Sequence, residues 1–306
     1  MGQTEELIGE ILEARPDLAK GLKIHSKAHP LVSKLDAEGI EKQIDASLKA
    51  LKRSKLEVFY LHRPDSVRVP LLETLKACDK QYRAGKFDEL GLSNYASWEV
   101  AYCHYLCLEH NLKAPTVYQG VMNAFNRTME PELMPALRTL KMKAYVYNPL
   151  AGGLLTGRYH SVTEETTKGR FSAEYDVVPA SMPDHPYRGR VYKLYRERYW
   201  NTQFFDAINS VRSVTDKLEV PLLDAALRWC LHHSTLQPSL GDGIIFGASN
   251  FSHVESNLKA LQGGPLPEEI VKAFDAAVLN LKQESYFSGY DEENGKSFQY
   301  LQKFKV

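Results

Sequence analysis

The stretch LEVFYLHRPD, Leu56 to Asp65, decides how the rest of the chain is read. Val58, Phe59, Tyr60 and Leu61 form a continuous apolar run, as expected of a strand covered on both faces, and the run stops at polar residues. Such strands belong to parallel sheets with helices packed on them. Before it stands DAEGIEKQIDASLKALKRS (36–54), where Ile40, Ile44, Leu48 and Leu51 share one helix face, and before that LKIHSKAHP (22–30), a second short strand. Downstream the unit repeats. The helix VPLLETLKACDKQYRAGK leads into FDELGLSNY, SWEVAYCHYLCLEHNL into APTVYQGVMNAF, and PELMPALRTLKMK into AYVYNPLAGGLLTG. After a polar segment (160–190), helices are expected at about 191–212 and 222–233, then GDGIIFGASN, a helix beginning SHVESNLKAL, and a last helix over 267–283. The opening MGQTEELIGEIL reads as a helix with Thr4 as its N-cap.

Strict βα repetition requires a parallel sheet, because right-handed crossovers place each helix on one of its faces. No strand–helix junction carries G-x-G-x-x-G, so the dinucleotide fingerprint of the doubly wound class is missing. Polar residues instead gather at strand C-termini: Lys27, His62, Ser93, Asn94, Gln119, Asn123, Tyr147 and Ser249. In a (β/α)8 barrel those ends form one face, which carries the active site. An α/β barrel of the TIM type is therefore the expected fold, with about six of its eight strands in this sequence and the whole of 1–306 as one domain.

Composition narrows the function. Lys plus Arg and Asp plus Glu both number 38, so there is no net field to hold nucleic acid or an anionic membrane. Cys78, Cys103, Cys107 and Cys230 are scattered without a C-x-x-C pair, which argues for a reducing compartment and against a thiolate metal site. No apolar run is long enough to span a bilayer. A cytoplasmic protein acting on small molecules is expected, without a metal, nucleic acid or membrane partner; a homodimer is left open.

His62 closes a buried strand, where an imidazole can donate to a substrate carbonyl or simply be a satisfied structural histidine. Lys27 closes the preceding strand; facing a barrel mouth it would be desolvated and would lower the pKa of a nearby phenol, and on the surface it would be an ordinary solvated lysine. Ser93, Asn94 and Gln119 suit a planar carboxamide such as that of nicotinamide, or serve as turn residues. Tyr147 offers a stacking face ahead of Gly152, Gly153 and Gly157, which allow close backbone approach to phosphate, and of cationic Arg158. Gly247, Ser249 and Asn250 stand at a helix start, as an anion site or a plain N-cap.

FYLHRPD, GKFDELGLSNYASWEV, PTVYQGVMNA, YNPLAGGLLTGRY, YRERYW, ALRWCLHHS and GASNFSHVESNL, in that order, resemble the aldo-keto reductases, in particular the aflatoxin-aldehyde and succinic-semialdehyde reductase branch. The resemblance implies a (β/α)8 barrel that binds NADPH (as NADP+ after turnover) and passes its hydride to an aldehyde or ketone, the expected small-molecule carbonyl substrate. In that pattern a tyrosine is the general acid, with a lysine that Lys27 matches, a histidine that His62 matches, and an aspartate. Ser93, Asn94 and Gln119 match the carboxamide grip and Tyr147 the stacking ring. The segment Asn148, Pro149, Leu150, Gly152, Leu154 to Arg158 matches the pyrophosphate loop, and Gly247, Ser249, Asn250, His253 and Asn257 the adenosine-phosphate site. Tyr195 and Arg198 match positions around the substrate's anionic end. The branch's C-terminal Tyr-Phe-Arg reads Tyr286, Phe287, Ser288 here, a departure that bears on carboxylate recognition. The family's aspartate and tyrosine sit in a D-T-A-x-x-Y segment directly before the stretch resembling GQTEELIG. The first strand, first helix and second strand are thus expected to lie outside this sequence, leaving a chain without its general acid and with doubtful turnover. Two alternatives stay open: a cofactor-binding module without turnover, of the channel-associated type, and an inactive fragment.

Overall fold

The computed structural model describes residues 3–65, 69–167, 169–174 and 189–281. Six strands occur among them, parallel wherever a register is defined, and helices follow them in the repeating order expected of a (β/α)8-type α/β fold. The chain divides into two compact units.

The first unit comprises Met1–Gln119 and Pro135–Lys143, together with Tyr286–Val306, which lies outside the described residues. It holds β1 (His25–Ala28), β2 (Leu56–Leu61), β3 (Phe87–Ser93) and most of β4 (Pro115–Val121), paired in sequence order. Lys27 lies opposite Tyr60, and Tyr60 opposite Gly91. Register partners on neighbouring parallel strands point to the same face, so these three form one transverse row. Gly91 is required there, because a Cβ on it would stand 2.3 Å from Cδ1 of Tyr60. The helices are α1 (Gln3–Ala14), the short α2 (Pro16–Ala19), α3 (Ala37–Ala50), α4 (Leu71–Arg83), α5 (Ser97–Glu109) and most of α6 (Leu133–Thr139). The Asp36 carboxylate caps α3 by accepting the Gly39 N–H at 2.9 Å, and α3 buries Ile40, Ile44 and Leu48. Glu99 reaches back from the first turn of α5 to accept the Ala96 N–H at 2.8 Å. Helix α1 already includes Gln3, so Thr4 lies within its first turn and is not the expected N-cap.

The second unit comprises Gly120–Met134 and Ala144–Ser285. Past the end of β4, the Met122 N–H donates to the Tyr147 carbonyl at 3.3 Å, beside β5 (Lys143–Tyr147). β5 in turn pairs with β6 (Gly243–Ile245), Tyr147 opposite Ile245. Around them lie α7 (Arg190–Tyr199), α8 (Thr202–Lys217), α9 (Leu222–His232), α10 (Phe251–Leu261) and α11 (Glu268–Leu279). Their shared core is aromatic, built on Phe125, Phe171, Tyr199, Trp200, Phe204 and Phe274. The helix expected over 191–212 is two helices. Asn201 leaves the helical backbone, its side chain accepts the Phe204 N–H at 3.0 Å, and the Trp200 indole N–H donates to the Val162 carbonyl at 2.8 Å, which breaks the rod between Tyr199 and Thr202.

Candidate active site

Within the first unit, Lys27 is half-buried on β1, its Nζ 5.1 Å from the centre of the Tyr60 ring. Burial lowers its pKa, against which the nearby carboxylate of Glu5 acts. That carboxylate is held by β1 itself: the Ser26 hydroxyl donates to Glu5 Oε1 at 2.5 Å and lies 3.0 Å from the Ser47 hydroxyl. His62 follows β2 directly, half-buried. Burial first, then the charges of His29, Lys27 and Arg63, push its pKa down to about 3. Its imidazole is therefore neutral over the whole physiological range, a hydrogen-bond donor rather than a cation.

Asn94 ties this group together. Its φ of +60° turns the chain sharply after β3, and its Nδ2 donates to the His62 carbonyl at 2.8 Å and to the Ser93 hydroxyl at 3.0 Å. Ser93 and Gln119 are buried at the ends of β3 and β4. His29, which sequence reasoning passed over, belongs here as well: its ring stands edge-on to that of His62, centroids 4.6 Å apart at 88°. Its place just past β1 gave no signal of this, because the ring it meets belongs to a residue distant in sequence.

In the second unit, Tyr147 is half-buried at the end of β5. Asn148, with φ +66°, shapes the loop that follows: its Nδ2 donates to the Tyr199 hydroxyl at 2.7 Å and its Oδ1 accepts the Gly152 N–H at 2.7 Å. Gly152 and Gly153 have φ of +72° and +104°, inside a 3-10 turn over Ala151–Thr156. A Cβ at Gly152 would meet Cδ1 of Tyr195 at 2.5 Å, whereas at Gly153 and Gly247 it would meet nothing within 4 Å. Pro149 and Leu154 are buried, Leu150 is half-buried against the core, and Arg158 is exposed. Tyr195 thus packs under the glycine turn, with the Arg170 guanidinium 5.0 Å from its ring centre; Arg198, three residues on, is half-buried on α7. Gly247, Ser249 and Asn250 are exposed at the start of α10. Asn250 is a true N-cap, its Oδ1 accepting the His253 N–H at 3.0 Å, and Ser249 Oγ lies 3.0 Å from His253 Nδ1. Asn257 is buried one turn further on.

The chain matches the aldo/keto reductase family over residues 1–279. It belongs to that family. It is 40% identical to aflatoxin B1 aldehyde reductase member 2 of Rattus norvegicus, over 90% of this chain and 73% of that protein. The human protein of the same name is 39% identical over 90% of this chain and 74% of its own length. An aldo-keto reductase of Pseudocercospora fijiensis is 37% identical over 94% and 93%. The chain is accordingly an oxidoreductase of the carbonyl-reducing kind, in a family that generally uses a nicotinamide cofactor. The residues fit such a group: the backbone is open at Gly153 and Gly247, and an exposed helix start adjoins Ser249. Tyr286, Phe287 and Ser288 lie outside the described residues. Among the described residues there is no cluster of metal-ligating side chains and no helix long and apolar enough to cross a membrane.

Proposed function

We propose that this chain reduces aldehydes or ketones to alcohols with NADPH. When bound, the dihydronicotinamide supplies the hydride. His62, neutral and held at its carbonyl by Asn94, donates a hydrogen bond to the substrate oxygen and orients it. Lys27, desolvated beside it, supplies positive charge toward the developing alkoxide, which then takes its proton from solvent water to give the alcohol. Ser93, Asn94 and Gln119 hold the carboxamide, and Tyr147 stacks on the ring. The turn from Asn148 to Arg158 takes the pyrophosphate on its backbone. Gly247, Ser249, Asn250, His253 and Asn257 take the adenosine end, where a helix N-terminus favours the extra 2′-phosphate of NADPH over NADH. Tyr195 and Arg198 serve an anionic end of the substrate.

The observation that carries this reading is the pairing of a desolvated lysine with a histidine kept neutral at neighbouring strand ends, in a chain of this family. The family's D-T-A-x-x-Y motif does not occur in the sequence. Tyr60, whose ring lies by Lys27, is fully buried and out of reach of a substrate.

Fluorescence titration with NADPH and NADH, followed by NADPH consumption with 4-nitrobenzaldehyde, tests both halves. Tighter NADPH binding and consumption that disappears in Lys27→Met are expected. Equal affinities would remove the cofactor assignment. Binding with no consumption would favour a non-catalytic cofactor-binding module.

A further inference from the structure

We propose that His29 is a positioning residue that sets the ring plane of His62. The inference rests on the reading of His62 as the carbonyl-orienting group, and gives its ring a support in addition to the one Asn94 gives its main chain. His29 is itself locked. Its backbone N–H donates to Gln43 Oε1 at 2.8 Å, and Gln43 is fixed in turn by donating from Nε2 to the Ser33 hydroxyl at 2.9 Å. Its Nδ1 accepts the Leu31 N–H at 3.0 Å, which assigns the proton of the neutral ring to Nε2. A ring so held cannot turn without breaking its part-buried hydrogen bond from Leu31.

Against this fixed ring stands His62, perpendicular to within a few degrees, centroids 4.6 Å apart. Edge-to-face pairs of this kind lose their contact when one ring rotates. The His62 main chain is fastened through its carbonyl to Asn94. The imidazole can still rotate, and the His29 ring packed edge-on to it is placed to oppose that rotation. A donor that rotates freely would offer its N–H to the substrate oxygen only part of the time, and loose positioning of a catalytic group is costly in rate. The charged and titratable groups around His62 are Lys27 and His29 from β1 and the turn after it, and Arg63 from its own segment. All three disfavour a proton on it, so removing His29 also removes one of the groups that keep the ring neutral.

Ring-nitrogen NMR of the full chain, labelled at histidine and followed from about pH 4 to 8, reads this without turnover. His62 signals are assigned by their loss in His62→Gln. The wild-type chain should show one His62 tautomer and no titration across that range. His29→Leu, which fills the volume without a ring, should average the two tautomers and raise the His62 midpoint by about one unit or more. His29→Phe, which restores a flat ring without the charge, should return the single tautomer while leaving the midpoint where His29→Leu puts it. If His29→Leu does not fold, His29→Gln carries the same expectation. A wild-type tautomer in the Leu or Gln variant would overturn the proposal, as would a cooperatively melting Phe variant that fails to restore the single tautomer. In carbonyl reduction, His29→Leu should lower kcat about tenfold with KM little changed, and His29→Phe should recover most of it; a KM effect alone would mark His29 as merely structural. A wild-type chain that consumes no NADPH would sink the reading of His62 and leave the ring spectra to decide the positioning.

Discussion

Two side chains in the first unit are pulled in opposite directions by the same cause. Burial pushes His62 down to about 3 and Glu99 up to about 7. For His62 the unfolded chain binds a proton below its ordinary value of 6.5 while the folded chain does not, so stability rises with pH between about 3 and 6.5. For Glu99 the folded chain keeps a proton that the unfolded chain has released, so stability falls from about 4.5 to 7. Each slope approaches about 1.4 kcal/mol per pH unit at most. Over the shared interval they cancel. Thermal melts should therefore be flat in this pair's contribution between about pH 4.5 and 6.5. Glu99→Gln, which keeps an acceptor for the Ala96 N–H, should uncover a melting temperature that climbs with pH, and His62→Gln one that declines. Two variants with the same pH profile as the parent would show that neither group is as buried in solution as in the structure. The helix that carries Glu99 was legible in the sequence; that Glu99 would be sealed from water was not, since burial depends on what α5 packs against.

At the scale of elements, the transverse row Lys27, Tyr60, Gly91 ties the chemistry to the sheet. The Tyr60 ring lies across the bare backbone of Gly91, and Lys27 lies over that ring. Gly91→Ala puts a methyl into the ring, an overpacking that costs about 1 to 3 kcal/mol in a tight core. The expected result is a lower melting temperature together with loss of carbonyl reduction, since a displaced Tyr60 ring moves the Lys27 ammonium. Pairing it with Tyr60→Leu should relieve part of the melting loss; a double variant no more stable than Gly91→Ala would mean the clash lies elsewhere. Strand β2 was legible because it is a short apolar run ending in polar residues, the other strands from their place in the βα alternation, and α3 because its apolar positions repeat at helical spacing. The role of Gly91 was not, because GLSNY does not say which side chain crosses it. Nor was the break between α7 and α8: YRERYWNTQFF reads as continuous helix, and the break is enforced by a hydrogen bond from Trp200 to a carbonyl 38 residues away. His29 escaped for the same reason, since its partner is distant in sequence.

Over the whole chain, 38 basic and 38 acidic residues leave no net charge, so selection of a phosphorylated cofactor has to be made locally. The start of α10 is suited to make it: Ser249, Asn250 and His253 are exposed, the cap at Asn250 orders the first turn, and the helix dipole places partial positive charge there. A ligand that binds the folded chain alone stabilises it by mass action, by about 2.7 kcal/mol at a hundredfold excess over its Kd. NADPH should accordingly raise the melting temperature more than NADH at equal concentration, and the difference between them should shrink as salt is added, because a charge contact at an exposed site is screened. Ser249→Glu places a like charge where the 2′-phosphate would sit and should erase the difference while leaving the NADH shift intact. Asn250→Ala removes the cap, costs about 1 kcal/mol of helix stability, and should weaken NADPH more than NADH. If Ser249→Glu lowered both shifts equally, the phosphate would be bound at some other group, Arg158 being the exposed cation to test next, and the preference for NADPH would have to be explained from the glycine turn instead.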